Sequence, residues 1–295
     1  MSDPAAPLKE HQPKHEFLIC IDSDGCAFDT MELKHKECFI PNIIKHWDLQ
    51  PISKFAREAA EFVNLYSKWR GINRFPALTQ TFDLLAEREE VKARGVKLPD
   101  VPNLRKWIAS ESKLGNPALE AYCARLNDLD MHRTLQWSKA VNDTVKDIVS
   151  SGLPPFPYVR ESLEKAGPKA DLMVCSATPV VALREEWEGQ KMDHYVFTIA
   201  GQEQGKKSEH IALASEGRYD RDHILMVGDA PGDQKAAEAN GALFYPINPG
   251  HEDLSWKRFN EEALDKFFAG EFAGAYQASL ITEFEQYLPE TPPWK

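Results

Sequence analysis

Asp22-Ser23-Asp24-Gly25 stands directly behind the unbroken apolar run Phe17 to Ile21. Such a run suits a strand buried on both faces of a parallel sheet, and open α/β sheets bind ligands beyond the carboxyl ends of their strands. Two acids one residue apart on an extended chain point to the same side. Packed together and partly buried they are costly unless a cation neutralises them, and Mg²⁺, a hard oxygen-seeking ion, does this well. A carboxylate can attack phosphorus, while a second acid protonates the leaving oxygen and later activates water. Asp22 is thus the candidate nucleophile and Asp24 the candidate acid/base, with both as candidate metal ligands. Gly25 permits a tight turn that brings backbone amides close to a phosphate. A pair of turn or capping acids behind a strand looks the same, so this motif alone leaves both readings open.

Three further motifs bear on the choice. The apolar run Ile224 to Val227 leads into Gly228-Asp229-Ala230-Pro231-Gly232-Asp233. Asp229 occupies the same place behind its strand as Asp22 and can complete an Mg²⁺ site. Asp233 lies about one helical turn further on, placed to bind the metal through water or to support a ligand, or simply to cap a helix. Leu172 to Cys175 ends in Ser176-Ala177-Thr178-Pro179, where Ser176 and the Ala177 amide form a candidate phosphate cradle at a helix start; capping chemistry has the same pattern. Gly205-Lys206-Lys207-Ser208 opens the helix after Tyr195 to Ile199. A lysine there can neutralise both nucleophile and phosphoryl group. Lys207 is preferred and Lys206 is the neighbour to weigh against it, two solvated lysines being the alternative.

The elements that must position these residues are legible as well. Strand-length apolar runs at Phe17 to Ile21, Leu172 to Cys175, Tyr195 to Ile199, Ile224 to Val227 and Leu243 to Tyr245 alternate mostly with helical patterns, which is the signature of a parallel α/β sheet. Between the first two strands the sequence reads as helix after helix: Ser53 to Trp69 behind a Ser53 N-cap, Pro76 to Glu90, Asn103 to Lys113, Pro117 to Asn127 and His132 to Ser150. The expectation is an α/β chain with a Rossmann-like parallel sheet core, residues 1–31 and 151–295, and a large all-helical cap, residues 32–150, inserted after the first strand. Residues 1–14 read as a flexible tail, and Asp253 to Phe284 as amphipathic helix before a Pro-rich end.

A chain of 295 residues with 42% hydrophobic content can bury a core of this size. Its formal charge of −11 opposes nucleic-acid and anionic membrane partners, and no apolar run reaches the ~18 residues of a membrane span. The five cysteines show no zinc spacing, and a reduced cytoplasmic chain is expected. No oligomeric state is implied. Ala200 to Ser208 imitates a Walker A loop but has Ala200 for the first glycine and Lys207 where Ser or Thr is required.

Taken together, Asp-x-Asp-Gly after the first strand, Ser176 after the second, Lys207 at a helix start and Gly228-Asp229-x-x-x-Asp233 after a later strand resemble the haloacid dehalogenase-like (HAD) superfamily in order and setting. The resemblance covers the sheet domain, about 140 to 160 residues by its extent in the chain. It implies a Mg²⁺-dependent phosphatase acting on a small phosphorylated metabolite through an aspartyl-phosphate on Asp22. It places the metal on Asp22, the backbone carbonyl of Asp24 and Asp229, and the transferring phosphate on Ser176 and Lys207. It also implies a cap that closes over the site and sets specificity. Asp24 is absent from the dehalogenases that name the superfamily, so phosphoryl chemistry is favoured. The alternatives are a phosphomutase, a phosphonate hydrolase with a Schiff-base lysine such as Lys34 or Lys36, or a noncatalytic phosphate binder. Cys26 departs from the Thr or Val frequent after the motif glycine. Within the cap, Arg70 and Arg74 flank Gly71 and are candidate contacts for a second anionic group of the substrate, or else solvent-facing residues of a loop.

Overall fold

The computed structural model describes residues 3–149 and 152–295. The chain forms two compact units, Met1–Met31 with Gly152–Leu288 and Glu32–Ser151 with Pro289–Lys295. Ser150 and Ser151, where the expected domain boundary falls, lie outside the described residues, as do Met1 and Ser2.

The first unit is a Rossmann-like α/β domain. Five strands, β1 (Phe17–Ile21), β2 (Ala170–Cys175), β3 (Thr198–Ala200), β4 (Ile224–Gly228) and β5 (Leu243–Pro246), form one sheet in the order β3-β2-β1-β4-β5. Every pairing is parallel, with Ile21 opposite Val174 on one side and Val227 on the other. The unbroken hydrophobicity of the strands follows from burial on both faces. Ile19, Ile21, Leu172, Val174, Leu225 and Val227 feed one core, while Leu18, Cys20, Met173, Cys175, Ile224 and Met226 feed the other, as the two-residue period of a strand requires. Each such side chain contributes roughly 1.5–3 kcal/mol on burial. The strand order reverses beside β1, so the crevice at its carboxyl end is the ligand position this topology offers.

Two expectations for this unit are corrected. The strand expected at Tyr195 to Ile199 begins at Thr198, because Asp193–Tyr195 forms a 3₁₀ turn instead. The described part of the expected flexible tail is docked. A short helix, Ala6–Lys9, buries Leu8 completely. His11 stacks on Phe197 with ring centroids 3.7 Å apart, and its Nε2 lies 2.8 Å from the Tyr219 hydroxyl. The backbone N–H groups of Lys14 and His15 donate to Asp171 Oδ2 at 2.9 and 3.2 Å. Their partners lie far away in sequence, so polar composition alone gave no hint of them.

The second unit is helical among the described residues and has its own core, in which Trp47, Phe75, Phe82, Trp107 and Trp137 are buried. The helix expected from Ser53 to Trp69 ends at Asn64, and its N-cap is Ile52, with Ser53 the first helical residue. The C-terminal segment, expected with the sheet, groups with this unit: Trp294 packs edge-on to Phe62 at 5.6 Å, and the Arg88 guanidinium lies 4.5 Å from its ring. No helix among the described residues is long and apolar enough to cross a membrane.

Candidate active site

β1 delivers Asp22 to the crevice. Its backbone N–H continues the sheet ladder, donating to the Val227 carbonyl at 3.0 Å. The chain then turns sharply: the Ser23 carbonyl accepts from the N–H groups of Cys26, Ala27 and Phe28 at 3.3, 3.0 and 3.1 Å. Gly25 sits at φ +77°, the left-handed region open to a glycine, and donates its N–H to the Phe28 carbonyl at 2.8 Å. Trp256 Nε1 donates to the Cys26 carbonyl at 2.7 Å and pins the far side of the turn.

Three buried carboxylates meet behind it. Asp22, Asp229 and Asp233 are 4%, 1% and 0% exposed, and each offers an oxygen within 4.8 Å of the other two. Asp229 follows β4 directly. Asp233 belongs to the first turn of the helix Pro231–Asn240, where its Oδ2 accepts from the Ala230 N–H at 3.1 Å. Gly228 allows this approach, since a Cβ there would lie 2.4 Å from the Asp233 Cβ.

Lys207, the first residue of the helix Lys207–Ser215, places Nζ 2.7 Å from Asp22 Oδ2 and 2.5 Å from Asp233 Oδ1. Lys206 is exposed and caps the same helix, its N–H donating to Glu209 Oε2 at 2.7 Å. The geometry therefore separates the two lysines. Burial pulls the Lys207 ammonium toward neutrality, but the charges of Asp22 and Asp233 outweigh it and hold the group well above the usual lysine range. Burial pushes the Asp22 carboxyl up; Lys207 offsets part of this, Asp233 and Asp229 add to it, and the net is well above the usual range. Asp233 is raised for the same leading reason. Three carboxylates against one ammonium leave a formal surplus of two negative charges, 3 − 1 = 2. An all-oxygen donor set with that surplus fits a hard divalent cation such as Mg²⁺. Both Asp233 oxygens are engaged, by Lys207 and the Ala230 N–H, and so are both Asp22 oxygens, by Lys207 and the Ser23 N–H; all three carboxylates can therefore contribute to such a site, directly or through water.

Asp24 is half-buried at the rim of the turn. Its Oδ1 accepts from the Thr30 hydroxyl, and its Oδ2 from the Thr178 hydroxyl at 2.6 Å. The loop after β2 thus does come to the first motif, but through a residue the sequence reasoning passed over. Ser176 is buried, and its Oγ accepts from the Thr178 N–H at 3.2 Å; Ala177 is exposed beside it. The signal available was the hydroxyl two residues after Ser176, on the same side of an extended stretch.

Arg70 and Arg74, the candidate substrate contacts, both have partners within the helical unit. Arg70 is 3% exposed and its guanidinium donates to the Leu65 carbonyl at 2.8 Å, closing the end of the helix Ser53–Asn64. Arg74 Nη1 donates to the Ser138 carbonyl and hydroxyl at 3.1 Å each and to Asn142 Oδ1 at 2.8 Å, and the guanidinium lies 4.8 Å from the Phe39 ring. Burial lowers its pKa to about 10. Both groups brace the helical unit from within.

No family model and no curated protein matches the chain. Among solved structures it is similar to a haloacid dehalogenase-like hydrolase from Streptococcus pneumoniae, at 13% identity over 83% of this chain and 91% of that one with a TM-score of 0.44. A HAD-superfamily hydrolase of subfamily IA from Geobacter sulfurreducens matches at 15% identity over 80% and 89% of the two chains, TM-score 0.40. A Lactobacillus delbrueckii protein named as a proposed phosphoglycolate phosphatase matches at 13% over 88% and 100%, TM-score 0.48. At scores of this size the likeness decides neither substrate nor chemistry.

Proposed function

We propose that the chain is a HAD-like phosphohydrolase that cleaves phosphomonoesters of a small metabolite by way of an aspartyl-phosphate on Asp22. The observation that carries this is the pairing of Asp22 with Lys207 at the end of the central strand, inside a carboxylate cluster two charges in surplus. A structural ion pair would pack best at charge balance, because unpaired buried charge costs several kcal/mol. A surplus held ready for a divalent cation and a phosphoryl group has a use in transfer chemistry.

In the first step an Asp22 oxygen attacks phosphorus and the bond from phosphorus to the ester oxygen breaks. Asp24 gives its proton to that oxygen, and the alcohol leaves. In the second step the Asp24 carboxylate takes a proton from water, whose oxygen attacks phosphorus; the acyl-phosphate bond breaks, and Asp22 and inorganic phosphate are released. Lys207 offsets charge on Asp22 and on the phosphoryl oxygens throughout. The Ser23 N–H, which donates to Asp22 Oδ1 at 2.8 Å, fixes the carboxylate plane. Mg²⁺ held by Asp22, Asp229 and the Asp24 backbone carbonyl would neutralise the remaining negative charge. Schiff-base chemistry at Lys36 is disfavoured: burial favours the free amine, but the hydrogen bond to Glu32 outweighs it and keeps the ammonium form, which is no nucleophile.

The test is phosphate release from a panel of phosphorylated metabolites with and without Mg²⁺, with Asp22→Asn as control. Mg²⁺-dependent release from a narrow group, abolished in the variant, supports the reading. Turnover retained by pure Asp22→Asn refutes it, and conversion without net phosphate release points to a mutase.

A further inference from the structure

The residue between the two motif acids is a buried serine, and each of its polar groups is engaged. Ser23 is 0% exposed. On an extended stretch its side chain points opposite to those of Asp22 and Asp24, and it meets the helix Val180–Gly189, which begins just behind the β2 loop. There the Ser23 hydroxyl donates to Glu186 Oε2 at 2.8 Å and accepts from Trp187 Nε1 at 3.0 Å. The Trp187 ring is fully buried and packs edge-on to Phe28, at the other end of the turn, at 5.8 Å and 77°. The Ser23 carbonyl holds three amides of that turn, and its N–H holds Asp22 Oδ1. One residue therefore links the nucleophile, the turn that presents Asp24, and the helix behind the phosphate loop.

We propose that Ser23, Glu186 and Trp187 form a positioning relay that sets the direction of both motif carboxylates, with Ser23 acting through Asp22 and Asp24 and touching no substrate itself. An apolar residue would fill the same space, but a hydroxyl held by a carboxylate and an indole N–H fixes orientation as well as volume, because hydrogen bonds are directional where packing is not. Rotation at position 23 would swing the carboxylates on either side of it, and a displacement of about 1 Å can cost on the order of 100-fold in rate. The inference rests on the phosphohydrolase reading for its kinetic arm alone.

The experiment compares wild type with Ser23→Ala, Glu186→Leu, Glu186→Gln and the double variant Ser23→Ala/Glu186→Leu. It measures kcat and KM on p-nitrophenyl phosphate, Mg²⁺ affinity by calorimetry, and the Trp187 indole N–H resonance. Ser23→Ala and Glu186→Leu should each lower kcat roughly 10- to 100-fold, the loss of one charge-assisted hydrogen bond, with KM changed less than about threefold. Glu186→Gln keeps a carbonyl acceptor and should recover most of the rate. The double variant should be no worse than the worse single one, as members of one linkage are non-additive. Ser23→Ala with wild-type kcat, or strictly additive losses, overturns the relay. Should the wild type release no phosphate, the phosphohydrolase reading fails separately; the relay then stands if Ser23→Ala shifts the Trp187 resonance and weakens Mg²⁺ binding several-fold, and falls if neither changes.

Discussion

Replacing Lys207 by Met removes the one ammonium from the carboxylate cluster while keeping most of its volume. Two contacts vanish, at 2.7 Å to Asp22 and 2.5 Å to Asp233, and three carboxyl groups remain with oxygens within 4.8 Å of one another. At an effective dielectric constant of about 20, two unit charges at that separation repel by about 3.5 kcal/mol, 332/(20 × 4.8). Breaking a buried pair by removing one partner costs about 3–5 kcal/mol, so the two routes agree. At roughly 2–4 °C per kcal/mol for a domain of this class, the melting midpoint in EDTA should fall by roughly 6–20 °C. Two additions should restore much of it. Saturating Mg²⁺, at about 100 times its Kd, adds about 2.7 kcal/mol, and Asp233→Asn in the same chain deletes one of the repelling charges. Thermal unfolding followed by fluorescence, with EDTA or Mg²⁺, reads all three proteins: wild type, Lys207→Met and the double variant. A Lys207→Met protein that melts with wild type in EDTA, or a double variant no more stable than Lys207→Met, would refute the electrostatic account of the cluster.

Other outcomes follow from the same structure. Burial pushes the Asp171 carboxyl up, but the Tyr219 hydroxyl and the Lys14 and His15 N–H groups outweigh it and hold it below its ordinary value, while burial, against the pull of Asp171, depresses His11. Stability from a depressed group is present above its unfolded pKa and lost as pH falls, so docking of residues 5–15 should weaken below about pH 6.5 through His11 and again below about pH 3.9 through Asp171; hydrogen exchange of that segment, unchanged from pH 8 to pH 5, would contradict this. Gly228→Ala should disorder the cluster, because its Cβ would meet the Asp233 Cβ at 2.4 Å, and a crystal structure showing Lys207 still on both carboxylates would refute the close-approach argument. Arg74→Met should lower the melting midpoint by a few degrees, at about 1–3 kcal/mol for the acceptors left unpaired at Ser138 and Asn142, and leave KM within about twofold; a large KM effect would return Arg74 to the substrate.

How far the sequence reached depends on the range of the interaction. β1, β2 and β4 were legible because burial on both faces leaves unbroken apolar runs, and the acids behind β1 and β4 inherit their position from the strand ends. Between Lys206 and Lys207 the sequence offers a preference only; in the fold Lys206 takes the N-cap and Lys207 meets the carboxylates. By contrast, the hydroxyls on Asp24 come from Thr30 and Thr178; the place of Thr178 two residues after Ser176 is a local sign, but its partner lies 154 positions away. Arg70 and Arg74 show their charge in the sequence but not their direction; in the fold Arg70 donates to the Leu65 carbonyl and Arg74 to the Ser138 carbonyl. Residues 3–14 looked like a tail because their binding surface, Asp171, Phe197 and Tyr219, assembles only when the sheet does. At Tyr195 a strand-like composition lost to a 3₁₀ turn that the run Asp193–Tyr195 closes.

The central claim is that Asp22 carries the phosphoryl group between the two steps. Acid-quenching the enzyme during turnover on a labelled phosphomonoester, followed by peptide mapping, addresses it directly. The account predicts label on the peptide containing Asp22 and Asp24, dependent on Mg²⁺, discharged by water and absent from Asp22→Asn. Full turnover with no label on that peptide at any quench time, or label retained in Asp22→Asn, would contradict it.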